Sequence, residues 1–177
     1  MTLEIRPERK GDAPGIQRLT RLTFQTAAHR SGTEQDIIDA LRAAGALTIS
    51  RVAEIDGEII GHIAISPVQV SSGATGWFGL GPVSVHPDHQ RNGIGRALVT
   101  QALAELKSMG AAGCVLLGDP AYHQRFGFQC EPGLVLPGVP AEFFQAMSFS
   151  GAFPAGIVTY HDAFSTAKGE QPPTRVL

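Results

Sequence analysis

The sequence predicts an α/β fold in which helices flank one mixed sheet. Two strand patterns meet at Asp56-Gly57, a pair that favours a type I′ turn and therefore an antiparallel hairpin. Further along the chain, strand, helix and strand patterns follow one another at residues 77–85, 93–109 and 113–117. That order is typical of a βαβ unit with parallel strands. Parallel and antiparallel pairs are therefore both expected in the sheet.

The first half of the chain is predicted to alternate between short strands and two helices. Asp12 is a suitable N-cap and Pro14 suits the first turn of the first helix, while Gly45 suits the end of the second. The apolar residues of the first helix are Ile16, Leu19, Leu22 and Phe24. The predicted elements are a strand over 3–7, helices over 12–28 and 34–44, and strands over 47–55 and 58–67.

The second half is expected to contain an irregular strand. Residues 77–85 include glycines and Pro82, which are poor strand formers and predict a bulge or a splayed ladder. The helix over 93–109 is expected to bury Ile94, Leu98, Ala102 and Leu106. The remaining predicted elements are a buried strand over 113–117, a short helix with Asp119 as its N-cap, and a last strand over 157–160.

The length of 177 residues fits one domain. We expect this domain to span residues 1–164 and the polar, proline-bearing residues 165–177 to form a flexible tail. Residues 131–157 hold four prolines and several glycines, so they are expected to be irregular. We expect them to form a lobe or lid over the end of the domain where a substrate would bind.

Composition argues against several classes of partner. The net charge is −2 and the 14 Lys and Arg are scattered, so nucleic-acid binding is disfavoured. No apolar run approaches the ~18 residues that would span a bilayer, and the N-terminus lacks a signal-peptide pattern, so no membrane is predicted and a cytoplasmic location is expected. The two cysteines lack metal-ligand spacing, and no carboxylate or cysteine completes a set with His86 and His89, so no metal site is predicted.

The turn after Val85 has the composition of a phosphate-binding site. The unpaired amides from Gln90 to Gly95 would lie at the positive end of a helix dipole. Gly93 and Gly95 would let a phosphate approach the backbone closely. The spacing fits neither the dinucleotide fingerprint nor a P-loop.

The order Gln-Arg-Asn-Gly-Ile-Gly at residues 90–95 resembles the Q/R-x-x-G-x-G/A motif of the GNAT acetyltransferase superfamily. Two other segments strengthen the resemblance. Residues 59–64, Ile-Ile-Gly-His-Ile-Ala, look like the family strand before the motif, and residues 118–128 look like its short helix closing in Gly-Phe. The Gly-Asp-Pro form at 118–120 is closest to the YhbS-like branch of predicted N-acetyltransferases. The resemblance covers residues 3–131 well and the following residues to 164 weakly.

This resemblance implies the GNAT acyl-CoA N-acyltransferase fold, with a mostly antiparallel sheet and splayed parallel strands, and acetyl-CoA as co-substrate. The pantetheine arm would pair with the main chain of Val83 and Val85, and the thioester would lie near the amides of 83–85, including Ser84. The phosphates would meet Gln90, Arg91, Asn92, Gly93, Ile94, Gly95 and Arg96. An amine of a small molecule or peptide would attack the thioester directly in a ternary complex. The resemblance is compatible with a homodimer.

The family's proton donor, a tyrosine four residues before the Gly-Phe pair, is replaced here by His123, and the tyrosine stands one place earlier at Tyr122. We favour His123 as the catalytic acid, with Tyr122 as the alternative. An imidazole with an ordinary pKa of ~6.5 would lose its proton as the pH rises. The activity would then fall as the pH passes this pKa. The strand over 77–85 carries no carboxylate, which leaves Glu34, Glu54 or a water chain as the base.

Two other functions compete with acetyl transfer. The missing tyrosine and strand carboxylate would also suit a non-catalytic acyl-CoA-binding module that regulates a partner. A nucleotide-binding regulator could use the same glycine turn, but the sequence has neither a ribose-binding acid nor a metal-binding Ser/Thr at the required place.

Overall fold

The computed structural model describes residues 2–25 and 33–165. Its α-helices are α1 (Ala13–Gln25), α2 (Glu34–Ala43), α3 (Ile94–Ser108) and α4 (Pro120–His123). Its strands are β1 (Leu3–Pro7), β2 (Ile49–Ile55), β3 (Glu58–Val70), β4 (Trp77–Val85), β5 (Gly113–Leu117), β6 (Leu134–Val135), β7 (Phe144–Ser148) and β8 (Gly156–Tyr160).

One mixed sheet joins the eight described strands. Its main order is β1-β2-β3-β4-β5-β7, and along this path only β4 and β5 run parallel. Strand β8 pairs antiparallel with the far end of β3 and parallel with β6. The predicted α/β fold with a mostly antiparallel mixed sheet is therefore confirmed.

The predicted hairpin and bulge are both present. Asp56 and Gly57 connect β2 to β3 with φ angles of 51° and 87°, as a type I′ turn requires. In the β3–β4 pair, Ile63 faces Val83 but Ile65 faces Leu80, so β4 carries an extra residue at Gly81-Pro82. The bulge interrupts the ladder in the middle of β4.

The helices cover both faces of the sheet. Helix α3 packs on one face and buries Ile94, Leu98, Ala102 and Leu106, as predicted. It comes so close to β3 that a Cβ at Gly61 would lie 3.0 Å from Leu98 Cδ1. On the other face, Ile16 of α1 and Ile38 of α2 pack against Val52 of β2.

Helix α1 differs from its prediction in one respect. Leu22 is 37% exposed, while Thr20 and Thr23 are buried beneath the helix. Ile16, Leu19 and Phe24 are buried, so the apolar pattern indicated the buried side of α1 except at Leu22. Residues 26–28, the predicted end of this helix, lie outside the described residues.

The prediction of an irregular segment over 131–157 holds for most of these residues but was wrong for β7, Phe144–Ser148, and for the two-residue strand β6. Strand β7 pairs along the whole of β5, with Phe144 opposite Leu117 and Ser148 opposite Gly113. The density of proline and glycine in the segment concealed a strand-length, mainly apolar stretch at 143–149. Strand β3 also extends to Val70, three residues beyond its prediction, because β8 pairs with its end.

Two further points concern the limits of the chain. Residues 166–177 of the predicted tail lie outside the described residues. Within residues 2–25 and 33–165, no helix has the length and apolar character needed to cross a membrane.

Candidate active site

A gap opens between β4 and β5 at the centre of the sheet. The two parallel strands pair only from Trp77–Gly113 to Gly79–Val115. Beyond these residues β4 passes through its bulge and continues to Val85 without pairing with β5. The expected splayed pair of parallel strands is therefore present.

Hydrogen-bond register identifies the main-chain groups that face this gap. His86 N donates to Ile60 O at 2.8 Å. Because antiparallel residues alternate between facing their partner and facing away, Ser84 points its main-chain groups at β3 while Val83 and Val85 point theirs into the gap. On β5, the bond from Gly118 N to Phe143 O at 2.9 Å places the groups of Leu117 towards the gap by the same rule. Leu117 was not identified from sequence.

One of these groups is already occupied. The Val85 carbonyl accepts a bond from Thr23 Oγ1 at 3.2 Å and another from Gln90 Nε2 at 3.1 Å. The Val85 carbonyl therefore already has two side-chain donors, although no β5 residue pairs with it. Side-chain donors on α1 and on the following turn fill the place of a missing strand.

Only the main chain of this part of β4 is accessible from the gap. The side chains of Val83 and Val85 belong to the core beneath α3. The Ser84 side chain points to the opposite face, is fully buried, and lies 3.5 Å from Thr20 Oγ1. Any ligand in the gap must therefore bind backbone N–H and C=O groups here.

The turn after β4 at residues 90–95, which we call the phosphate turn, has the free amides expected of a phosphate site. Gly93 adopts a left-handed φ of 82° as the N-cap of α3, and the space where its Cβ would stand is empty to 4 Å. Across the described residues, the amides of 91–96 donate no backbone bond outside helix α3. Gln90 N is the exception to the predicted set, because it donates to Pro87 O at 3.4 Å.

The side chains of this turn divide between core and rim. Ile94 is buried, so only its amide can meet a ligand. Arg91, Asn92 and Arg96 are exposed, and Arg91 has a left-handed φ of 62°. Two guanidinium groups therefore lie beside the free amides, where they could pair with phosphate oxygens.

Helix α4 follows β5 and carries the two predicted catalytic side chains. Asp119 caps it, accepting a bond from Ala121 N at 2.9 Å, as predicted. His123 is fully buried and lies against Gly118, where a Cβ would be 2.5 Å from His123 Nε2. Gly118 follows β5 directly, so the imidazole stands at the β5 end of the gap.

His123 has an unusual environment for a polar side chain. Neither ring nitrogen has a hydrogen-bond partner among the described residues, and Phe126 and Phe128 pack around the ring. Burial lowers the pKa of His123 to about 4, although nearby Asp119 acts in the opposite direction. The imidazole is therefore neutral at pH 7, and the expected ordinary pKa was wrong.

Tyr122 points elsewhere. Its ring is half-buried beneath the Arg125 guanidinium, whose carbon lies 4.5 Å from the ring centre. Burial raises the pKa of Tyr122, while the charges of Arg125 and Arg96 act to lower it. The charge of Arg96, in the first turn of α3, therefore acts on the Tyr122 phenol.

The structure also separates the candidate bases. Glu54 accepts a bond from Arg6 Nε at 2.9 Å in an ion-pair cluster that includes Asp12. Glu34 lies in the first turn of α2 and is 1% exposed. Within the part of the chain that the structure describes, no group of three His, Cys, Asp or Glu side chains could hold a metal ion.

Comparisons with known proteins agree with this geometry. The acetyltransferase (GNAT) family profile matches residues 14–128. The uncharacterized N-acetyltransferase YhbS of Escherichia coli strain K12 is 36% identical over 168 residues, which cover 91% of this chain and 98% of YhbS.

Crystal structures of two relatives contain acetyl-CoA in one case and CoA in the other. A GNAT family acetyltransferase from Brucella melitensis in complex with acetyl-CoA has a TM-score of 0.83 and 47% identity, covering 92% of this chain and 98% of that one. Escherichia coli YhbS in complex with CoA has a TM-score of 0.83 and 35% identity, covering 92% of each chain. The chain therefore belongs to the GNAT family and is an acetyl-CoA-dependent N-acetyltransferase.

Proposed function

We propose that this protein transfers the acetyl group of acetyl-CoA to a primary amine by direct attack in a ternary complex. The gap between β4 and β5 is the observation that carries the proposal. Its edges present main-chain groups of Val83, Val85 and Leu117 without a neighbouring strand. The pantetheine arm, with two amides, can pair with such an edge as a strand would.

The free amides at residues 91–96 support placing the phosphates at the same end of the sheet. They lie at the N-terminus of α3, where the helix dipole favours negative charge. The pyrophosphate would sit on Gly93 and its neighbours, with Arg91 and Arg96 at its rim. The thioester carbonyl would then lie near the amides of 83–85, which could stabilise an oxyanion.

Direct attack is supported by the state of the candidate nucleophiles near the gap. Burial raises the pKa of the Cys114 thiol far above its usual range, and this side chain is fully buried. The Ser84 hydroxyl faces Thr20 on the far side of β4. Neither group is suited to carry an acetyl group between the two substrates.

The reaction then balances without an enzyme-bound intermediate. The amine nitrogen bonds to the thioester carbon, the resulting oxyanion collapses, and the carbon–sulfur bond breaks to release CoA thiolate. The amine loses one proton to a base, for which Glu34, Glu54 and a water chain are the candidates, and the product is an amide.

We propose that His123 acts on the departing sulfur in its neutral form. Its ring lies at the β5 end of the gap, and a neutral imidazole still offers one N–H to a thiolate. The thiolate is already a fair leaving group, so a hydrogen bond suffices. Tyr122 is the alternative donor, because its phenol keeps its proton at neutral pH.

The acceptor is proposed to be an amine of a small molecule or of a peptide, entering from the face covered by α1 and α2, since α3 and the phosphate turn occupy the other face. A cytoplasmic location is proposed from the sequence, as is the assignment of residues 1–164 to one domain.

Initial-rate kinetics test the proposal. Thiol release from acetyl-CoA is measured with a panel of primary amines, varying both substrates, and intersecting double-reciprocal lines are expected. Parallel lines would contradict the ternary complex and indicate a covalent intermediate. Binding of acetyl-CoA without thiol release for any amine would favour the non-catalytic module.

A further inference from the structure

Among the described residues, the carbonyl of Val85 is the one main-chain acceptor on the open edge of β4 that accepts hydrogen bonds from side chains. Among the described strands, none pairs with this edge from Leu80 onwards. A carbonyl at such an edge needs a donor from elsewhere. Thr23 Oγ1 and Gln90 Nε2 both donate to it, at 3.2 and 3.1 Å.

The two donors come from different elements. Thr23 lies on the buried side of α1, 62 residues away in sequence, and is 4% exposed. Gln90 lies between the short turn at Pro87–His89 and the free amides of the phosphate turn. One carbonyl therefore ties β4 to the helix on the α1 face and to the turn that precedes α3.

The pair of bonds has a consequence for the shape of the edge. A carbonyl oxygen has two lone pairs, and both are used here. The Val85 carbonyl therefore has no remaining tendency to draw in a water molecule, α4 or the end of β5. The edge keeps the N–H groups of Val83 and Val85 directed into an open gap.

We propose that Thr23 and the side chain of Gln90 are positioning residues that hold the Val85 carbonyl and keep the edge of β4 open for the pantetheine arm. This inference rests on the proposed binding of pantetheine along β4. Gln90, predicted from sequence to contact phosphate, contributes its side chain to the β4 edge instead. Thr23 would act through its bond to the Val85 carbonyl.

Binding measurements with two ligands test the role of Thr23. CoA carries the pantetheine arm, whereas adenosine 3′,5′-bisphosphate keeps the nucleotide end without it. Thr23→Val keeps the shape of the side chain but removes the donor, so calorimetry should show CoA binding weakened by about five- to twentyfold. Bisphosphate binding should stay within about twofold.

Matched variants separate positioning from simple stability. Thr20→Val changes a buried threonine on the same helix that contacts the Ser84 side chain rather than the β4 edge, and it should leave both affinities unchanged. Thr23→Ser retains the hydroxyl and should restore CoA binding. Gln90→Leu should repeat the selective loss of CoA affinity.

Each other outcome would overturn the inference. Unchanged CoA affinity in Thr23→Val would show that the bond is dispensable, and equal weakening of both ligands would indicate a general disturbance of the fold. Failure of Thr23→Ser to rescue would point to packing rather than hydrogen bonding. If wild-type protein binds CoA no more tightly than the bisphosphate, the proposed pantetheine placement itself fails.

Discussion

Acid should destabilise this protein through its buried histidines, and His123 offers the clearest test. Burial lowers the pKa of His123 from its usual 6.5 to about 4. The unfolded chain therefore binds more protons than the folded one between these values, and the free energy of unfolding rises with pH in that window. The stabilising effect of the neutral ring is fully present above pH 6.5 and is lost as the pH falls towards 4.

The magnitude follows from the width of this window. Each pH unit of pKa difference corresponds to about 1.4 kcal/mol, so acidification from pH 6.5 to 4 should remove about 3 kcal/mol through His123. Burial lowers the pKa of His62 to about 4 as well, so this second ring should add a comparable loss. The pKa of Glu8 and Asp12 is also lowered, but carboxylates titrate at lower pH.

His123→Phe isolates the contribution of one ring. Neither ring nitrogen has a partner among the described residues, so the substitution breaks no recorded hydrogen bond. Urea unfolding at pH 8, 6.5, 5.5 and 4.5 should give a shallower dependence than wild type, by up to about 1.4 kcal/mol per pH unit. The difference at pH 8 corrects for packing. Parallel curves for the two proteins would refute the depressed pKa and the burial that causes it.

Four further predictions test other parts of the structure. Gly61→Val should cost about 1–3 kcal/mol of unfolding free energy, because a Cβ there lies 3.0 Å from Leu98 Cδ1. Leu98→Ala should cost about 2–5 kcal/mol of unfolding free energy, since removal of this fully buried side chain would leave a cavity. Urea unfolding measures the Gly61→Val and Leu98→Ala variants, and a loss below about 0.5 kcal/mol would contradict the packing. Gly93→Val should abolish acetyl-CoA binding in calorimetry while circular dichroism stays native, because a β-branched residue at φ 82° distorts the phosphate turn. His123→Ala should lower kcat about 10- to 100-fold, and wild type should show no loss of activity between pH 6 and 8 that this variant lacks. If His123→Ala is fully active while Tyr122→Phe is impaired, the acid is Tyr122.

The sequence predicted correctly those features that depend on residues adjacent in the chain, namely a turn, a bulge and a set of free amides. Asp56-Gly57 predicted its turn because few residue pairs tolerate two positive φ angles, and the structure has both. The glycines and Pro82 of β4 predicted the bulge and the splayed pair because they cannot sustain a regular ladder. The motif at residues 90–95 predicted the free amides of the phosphate turn with one exception at Gln90.

Signals that depend on a partner were missed. Strand β7 forms because β5 offers a free edge, and its proline-rich surroundings carry no local sign of that edge. The buried face of α1 is set by Ser84 and Val85 beneath it, so two threonines point inward while Leu22 stays partly exposed. Periodicity describes which residues share a helix face, but not which face the sheet selects.

The proposed catalytic residues show the same division. The sequence by itself determined that His123 and Tyr122 are neighbours on one short helix after β5, since Asp119-Pro120 starts that helix. Only the tertiary structure decided that His123 faces Gly118 and is neutral, that the Tyr122 ring lies beneath the Arg125 guanidinium, and that Thr23 reaches Val85. Burial and the charges around a group set its pKa, and they come from segments far apart in the chain, which only folding brings together.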